Sequence, residues 1–312
     1  MKTGREELIE MLNETLQILD DGQYTAPSGK TVHLKLWKEE MQSAHPILPE
    51  EVKEIGTRDD FEGTPGGNCN VTCICGDTLD CTRYLDRQLP HNYGDRPVLF
   101  LNMANAVYAG GGVRSGSWAQ EESICRKSSL LVSLESVGAD PYYDYNLQLH
   151  GHLGSDGLIF TPRVEIIRDG QNNLLEETVI AAGLTCAAPK LTENRDGLTE
   201  EEYWNMFCNR IVSMLRCCAY YQYKNLVLGA WGCGAFHNDP KDVVRMFQIA
   251  LYDARFHGAR LVDWFDQICF AVLVNHPRED ANFQLFNKAF GGKPQEENPV
   301  IFDGESDEDT TK

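Results

Sequence analysis

Two glycine-rich loops, each entered from a short apolar run and left through a helix start, constrain this chain more than any other feature. The first follows Pro97–Met103 and contains Gly110-Gly111-Gly112. The second follows Leu226–Gly229 and reads Gly229-Ala230-Trp231-Gly232-Cys233-Gly234-Ala235-Phe236. It closes on Asp239-Pro240, an N-cap residue followed by proline at the first helical position. Glycine tolerates positive φ and lets backbone approach a ligand closely. A strand that turns through such a loop into a helix, twice in one chain, predicts a layered α/β sheet with its ligand at the carboxyl ends of the strands.

Seven residues separate Gly112 from Gln120-Glu121-Glu122, which are followed by Ile124, Leu130, Leu131 and Leu134. This spacing predicts a helix from about Ser117 to Glu135 with its acids in the first turn, where the macrodipole favours them. A glycine loop beside a carboxylate suits acid catalysis on a nucleotide-like ligand. Adjacent helical residues point roughly 100° apart. Glu121 and Glu122 are therefore not expected to face each other across a glycosidic bond as a two-carboxylate pair would. One carboxylate would do the chemistry and the other would position the substrate or cap the helix. The first loop is not a Walker A sequence, because the Gly-Lys-Ser/Thr ending is missing, and it lacks the third glycine of a dinucleotide fingerprint.

The length of 312 residues suits one large domain with an extension. A helix is expected from the capping box at Thr3 to about Asp20, stopped by Asp21-Gly22. Residues 1–68 read as an extension laid over the core, 69–290 as the catalytic core, and 291–312 as an acidic tail expected to be disordered. Within the core, strands are expected at Val71–Cys75, Leu158–Ile167 and Ile268–Val274, with an extended run at Thr178–Ala188. Helices are expected at Thr78–Leu89, after the capping box Thr199-x-x-Glu202, and over 279–290.

A net charge of −19 argues against backbone binding of DNA or RNA, which needs Lys/Arg clusters. It leaves room for a small anion held by loop amides and helix N-termini. The first thirty residues carry no apolar signal core, and no apolar run reaches the ~18 residues of a membrane span. The eleven cysteines, an odd number, read as reduced thiols of a cytoplasmic protein, or a nuclear one in a eukaryote. Cys69, Cys73 and Cys75 share one parity of a strand and read as small buried side chains rather than zinc ligands. His150-Gly151-His152 is too isolated for a metal site, so neither metal nor cofactor is expected. Asn102 and Asn105 are candidates to donate to sugar hydroxyls. Gly232 to Phe236 offer a diphosphate cradle, and Phe236 suits the face of a sugar. Asp77 reads as a helix N-cap, with an adenine amino group as the other candidate partner.

The Gly110–Gly112 and Gln120–Glu122 pairing resembles the signature of poly(ADP-ribose) glycohydrolases of the macrodomain fold. Leu101-Asn102-Met103-Ala104-Asn105 resembles the strand and loop of macrodomains generally, and Gly76-Asp77 the end of their early strand. The loop from Gly229 to Phe236 is similar to the diphosphate loop of the microbial branch. Glu14-Thr15-Leu16 and Gly22-x-Tyr24 are similar to that branch's N-terminal extension. The resemblance runs from about residue 5 to 290. It implies a three-layer α/β/α sandwich with a mixed central sheet and a largely helical N-terminal extension, acting as a monomer on poly(ADP-ribose) or an ADP-ribosylated protein. It implies that Glu122 is the catalytic acid and that Glu121 holds substrate hydroxyls, with Gln120 supporting the helix start. Gly110, Gly111 and Gly112 on one side, and Gly232, Cys233 and Gly234 on the other, would hold the diphosphate, with Val113 and Ala235 also contacting the ligand. Phe236 would orient the distal ribose, and Asp77 would recognise adenine. A mono-ADP-ribosyl-protein hydrolase and a non-catalytic ADP-ribose-binding macrodomain share these loops. Retention of Glu122 argues against the latter.

Overall fold

A computed structural model describes residues 4–58, 61–89, 96–275 and 277–291. The expected tail beyond Gly291 and the capping residue Thr3 lie outside the described residues. Helix α1 (Gly4–Asp21) buries Leu12, Thr15, Ile18 and Leu19 and stops at Gly22, whose φ is +69°. A hairpin of β1 (Gln23–Thr25) and β2 (Thr31–His33) follows, then α2 (Lys38–Met41), β3 (His45–Ile47) and α3 (Pro49–Ile55). Next come β4 (Asn70–Ile74), α4 (Thr78–Gln88) and β5 (Leu99–Met103).

After β5 lie three helices, α5 (Gln120–Lys127), α6 (Leu130–Leu134) and α7 (Asp140–Leu147). The single helix expected from Ser117 to Glu135 is thus broken. Ser128 leaves helical geometry (φ −151°, ψ 174°) and bridges to Ile166 in the sheet. The Ser128 hydroxyl donates to the Ile124 carbonyl, and the Ser129 hydroxyl accepts from the Glu165 amide. Serine side chains that compete for backbone partners in this way break helices, and apolar spacing alone does not register it.

The chain continues through β6 (Leu158–Arg168), β7 (Leu174–Cys186), α8 (Glu200–Tyr220), β8 (Asn225–Leu228) and α9 (Pro240–Gln248). It ends with the short pair β9 (Arg255–Phe256) and β10 (Ala259–Arg260), then β11 (Gln267–Ala271) and α10 (Pro277–Phe290). The Thr199–Glu202 capping box and the Asp239 cap form as expected.

The central sheet has seven strands in the order β3-β6-β7-β5-β8-β11-β4. It is mixed: β7, β5, β8, β11 and β4 run parallel, while β6 is antiparallel to both β7 and β3. Strand alternation divides the core. Leu99, Leu101, Leu226, Leu228, Ile268 and Phe270 face the layer of α3, α8, α9 and α10. Phe100, Val227 and Cys269 face the layer of α1, α4, α5, α6 and α7. The result is the expected α/β/α sandwich, with a helical N-terminal part. The stretch assigned to the extension also supplies an edge strand, β3, to the sheet. No described helix is long and apolar enough to cross a membrane. All eleven cysteines are free thiols, and Cys75, expected to be buried, is exposed because β4 ends before it.

Strands β5 and β8 are parallel neighbours in mid-sheet, and the helices that follow them go to opposite layers: α5 to one, α9 to the other. Chain that departs to opposite faces from adjacent strand ends leaves a crevice there. Both glycine loops border it.

Candidate active site

A cavity of 290 Å³ occupies that crevice. Met103, Asn105 and the run Ala119 to Glu122 form one wall; Ala188, Ala230, Trp231, Gly232 and Gly234 to Phe236 form the other. The two sequence segments singled out as functional are therefore brought together.

Gln120 fixes the start of α5. Its side-chain oxygen accepts from the Met103 amide at 2.8 Å, and its nitrogen donates to the Leu101 carbonyl at 2.7 Å. The helix that carries the glutamates is thereby tied to the end of β5. A second tie comes from the N-terminal helix, and sequence reading missed it. The buried Thr15 hydroxyl donates to the Arg126 carbonyl at 2.6 Å, and the Arg126 guanidinium donates to the Ser117 carbonyl at 2.6 Å. No local pattern announces these contacts, because their partners are far apart in sequence.

The two glutamates occupy different environments. Glu121 is buried; its carboxylate accepts from the Asn105 amide at 2.7 Å and the Asn102 side chain at 3.2 Å. Burial pushes its carboxyl up to about 8, against the opposing pull of the Asn105, Asn102 and Gly110 donors and with the help of the Glu122 charge. Glu122 accepts the Gly112 amide on Oε1 at 2.9 Å. Its Oε2 is buried and has no hydrogen-bond partner among the described residues. A buried carboxylate oxygen without a partner is costly in the free protein, and here it belongs to a residue that lines the cavity.

Several expected ligand contacts turn out differently. The first glycine loop was expected to hold a diphosphate, yet two of its amides are engaged within the protein: Gly111 on the Tyr108 carbonyl and Gly112 on Glu122. The loop orients carboxylates instead. Gly111, at φ +57°, sits where a Cβ would lie 2.6 Å from Glu122 Oε1 and 3.0 Å from Glu121 Oε2, so only glycine fits over both acids. Asn102, expected to donate to a sugar, is fully buried and donates to Glu121 and Thr185. Val113 is a core residue at the start of a single 3₁₀ turn, not a cavity residue. Asp77 caps α4 through Leu79 and Asp80, and its other oxygen pairs with the buried Lys127 at 2.9 Å. The cap is the one expected for this residue. Asn105 keeps its candidacy: its oxygen accepts from Val107 and Tyr108, which leaves the amino group uncommitted.

The second glycine loop leaves several amides without acceptors among the described residues. The amides of Gly234, Ala235 and Phe236 donate to no acceptor among the described residues, whereas Cys233 and His237 close turns onto Ala230 and Gly234. Gly232 has φ +79° and rests against Asn238 and Ala188, too close for a side chain. Asn238 donates to the Gly232 and Pro189 carbonyls and accepts from the Tyr203 hydroxyl at 2.7 Å. This clasp holds the loop from behind. Cys233 packs against the core and does not line the cavity. Phe236, expected at an exposed turn, is half-buried and lines the cavity. Among the described residues no His/Cys/Asp/Glu group of three or more could hold a metal ion.

The raised Glu121 carboxyl has a measurable consequence. Below the ordinary carboxyl value of 4.5, folded and unfolded chains both hold this proton. Between there and about 8 only the folded chain keeps it, so this group's contribution to stability falls as pH rises. At about 1.4 kcal/mol per unit, wild type is expected to lose a few kcal/mol relative to Glu121→Gln between pH 5 and pH 8. Urea denaturation of both proteins at the two pH values measures this. Parallel losses in the two proteins would show that Glu121 ionises normally.

Comparison with known proteins places this arrangement. The catalytic-domain model of microbial-type PARG, the poly(ADP-ribose) glycohydrolases, matches residues 13–169. That span runs from α1 through β6 and includes both glutamates. The crystal structure of poly(ADP-ribose) glycohydrolase from Thermomonospora curvata is similar at a TM-score of 0.80 and 31% identity, covering 91% of this chain and 100% of that one. The same enzyme bound to the inhibitor ADP-HPD matches at 0.78 and 30%, with the same coverage. The Deinococcus radiodurans enzyme in complex with ADP-ribose matches at 0.68 and 30%, covering 83% of this chain and 98% of that one. No curated protein matches the chain.

Proposed function

This chain belongs to the microbial-type poly(ADP-ribose) glycohydrolases, and from that premise we propose how its own residues cut the ribose–ribose bond and release ADP-ribose. It is a glycohydrolase acting on poly(ADP-ribose). The observation that carries the residue-level reading is Glu122, a residue of the cavity wall with one oxygen fixed by the Gly112 amide and the other buried and unpartnered among the described residues.

The terminal ADP-ribose lies in the cavity. Its diphosphate takes the amides of Gly234, Ala235 and Phe236, which suits a protein with a charge of −19 because neutralisation needs no lysine there. Phe236 packs on the ribose, and Asn105 donates to a hydroxyl. Glu122 gives a proton to the oxygen of the departing ribose as the C–O bond breaks and positive charge builds on the sugar ring. The resulting carboxylate takes a proton from the attacking water. The product is a hydroxyl on each side of the cut. Glu121 orients the sugar hydroxyls from beside Gly111. The two acids sit on one wall, so a second carboxylate across the bond is not part of this scheme.

The acidic surface repels the body of a long polyanion, which favours cutting at chain ends by a monomeric enzyme. The test uses auto-modified, radiolabelled poly(ADP-ribose) polymerase, with products resolved by chain length. Free ADP-ribose accumulating from the first time points is expected. Early appearance of oligomers would overturn terminal cutting, and absence of any release would overturn the chain-degrading assignment.

A further inference from the structure

We propose that Trp118 and Tyr108 form a stacking subsite at the cavity mouth for the adenine of the second ADP-ribose unit, the unit whose ribose departs. The proposal rests on the glycohydrolase reading above and extends it to the leaving side of the bond.

Trp118 is 84% exposed and Tyr108 67% exposed. Both belong to the segment between Asn105 and Glu122 that carries the acids, and neither is on a loose backbone. Ser117, the residue before Trp118, donates its amide to the Gly112 carbonyl at 3.1 Å, and its carbonyl is held by Arg126 at 2.6 Å. Ala119, the residue after, lines the cavity and caps α5. Tyr108 donates its amide to Asn105 Oδ1 at 2.9 Å and accepts from Gly111 at 2.9 Å. Two aromatic rings are therefore left in water on held backbone, Trp118 next to cavity-lining Ala119 and Tyr108 tied to cavity-lining Asn105.

The substrate explains the need. A cavity of 290 Å³ is at the small end for a single nucleotide-sized ligand, so the next unit of the polymer lies outside it. A protein of charge −19 offers that unit's phosphates little attraction. Every unit also carries a base, and base–aromatic stacking is insensitive to the charge of the protein. Rings at the mouth gain grip on polymer without adding cations.

The test compares wild type, Trp118→Ala, Tyr108→Ala and Trp118→Phe on purified ADP-ribose oligomers, with free ADP-ribose as competitive inhibitor. The alanine variants are expected to raise KM for oligomers about tenfold with little change in kcat. The ADP-ribose inhibition constant should stay within twofold of wild type, and Trp118→Phe should recover most of the loss. Unchanged KM in both alanine variants overturns the subsite. So does an inhibition constant that rises in step with KM, since the rings would then serve the first unit or the loop itself. A wild type that releases nothing from any oligomer overturns the glycohydrolase reading instead, and is told apart by that.

Discussion

Glu122→Gln is expected to lower the rate of ADP-ribose release from polymer by about 10²–10⁴-fold, the range over which positioned acid–base groups contribute. Binding of ADP-ribose should survive within a few-fold. The amide keeps the volume of the acid and can still accept the Gly112 N–H through its oxygen, so the loop has no reason to move. What disappears is the side chain's capacity to give and take a proton. Single-turnover release from radiolabelled polymer, with calorimetric titration of ADP-ribose, separates the two effects. A variant that keeps a tenth of the wild-type rate would move the acid to another residue, and Glu121 would be the first to examine.

Gly111→Ala is expected to cost about 100-fold in kcat while the protein stays folded. The added methyl would lie 2.6 Å from Glu122 Oε1 and 3.0 Å from Glu121 Oε2, so a carboxylate or the loop must shift. A misplacement of about 1 Å at a reacting group costs about 10²-fold. The left-handed backbone at φ +57° adds about 1–2 kcal/mol of strain for alanine. Thermal unfolding alongside steady-state kinetics checks both numbers. Near-normal kcat in a destabilised protein would mean that the loop gives way without disturbing the acids.

The sequence was most legible where chemistry and local backbone coincide. Three glycines before Gln120-Glu121-Glu122 pointed to a segment that lines the cavity, and Asp239-Pro240 announced α9. The apolar runs Pro97–Met103 and Leu226–Gly229 announced β5 and β8. Legibility failed where a side chain's partner is distant. Asn102 looked like a ligand donor because nothing nearby shows that Glu121 and Thr185 absorb its amino group. Glycine amides looked like phosphate donors because spacing cannot say that the chain's own carboxylates take them. Ser128 broke a helix that apolar spacing would have continued, since its competing partner Ile166 is on β6. The strand His45–Ile47 escaped notice because three residues at a sheet edge carry too little pattern.

The ties between α1 and the rest of the protein also bear on how the molecule is made. Thr15 bonds to a residue 111 positions later, and Glu14 to Arg168, 154 positions later. Helix α1 is therefore made 111 to 154 residues before these partners exist. Its apolar stripe of Leu12, Ile18 and Leu19 stays uncovered meanwhile. Contacts of such long sequence separation slow folding and lengthen the interval in which aggregation competes. Helix α5 meets its brace as soon as it is made, but the facing wall from Gly232 to Phe236 follows much later, so chains terminated between the two should be inactive and prone to capture by chaperones.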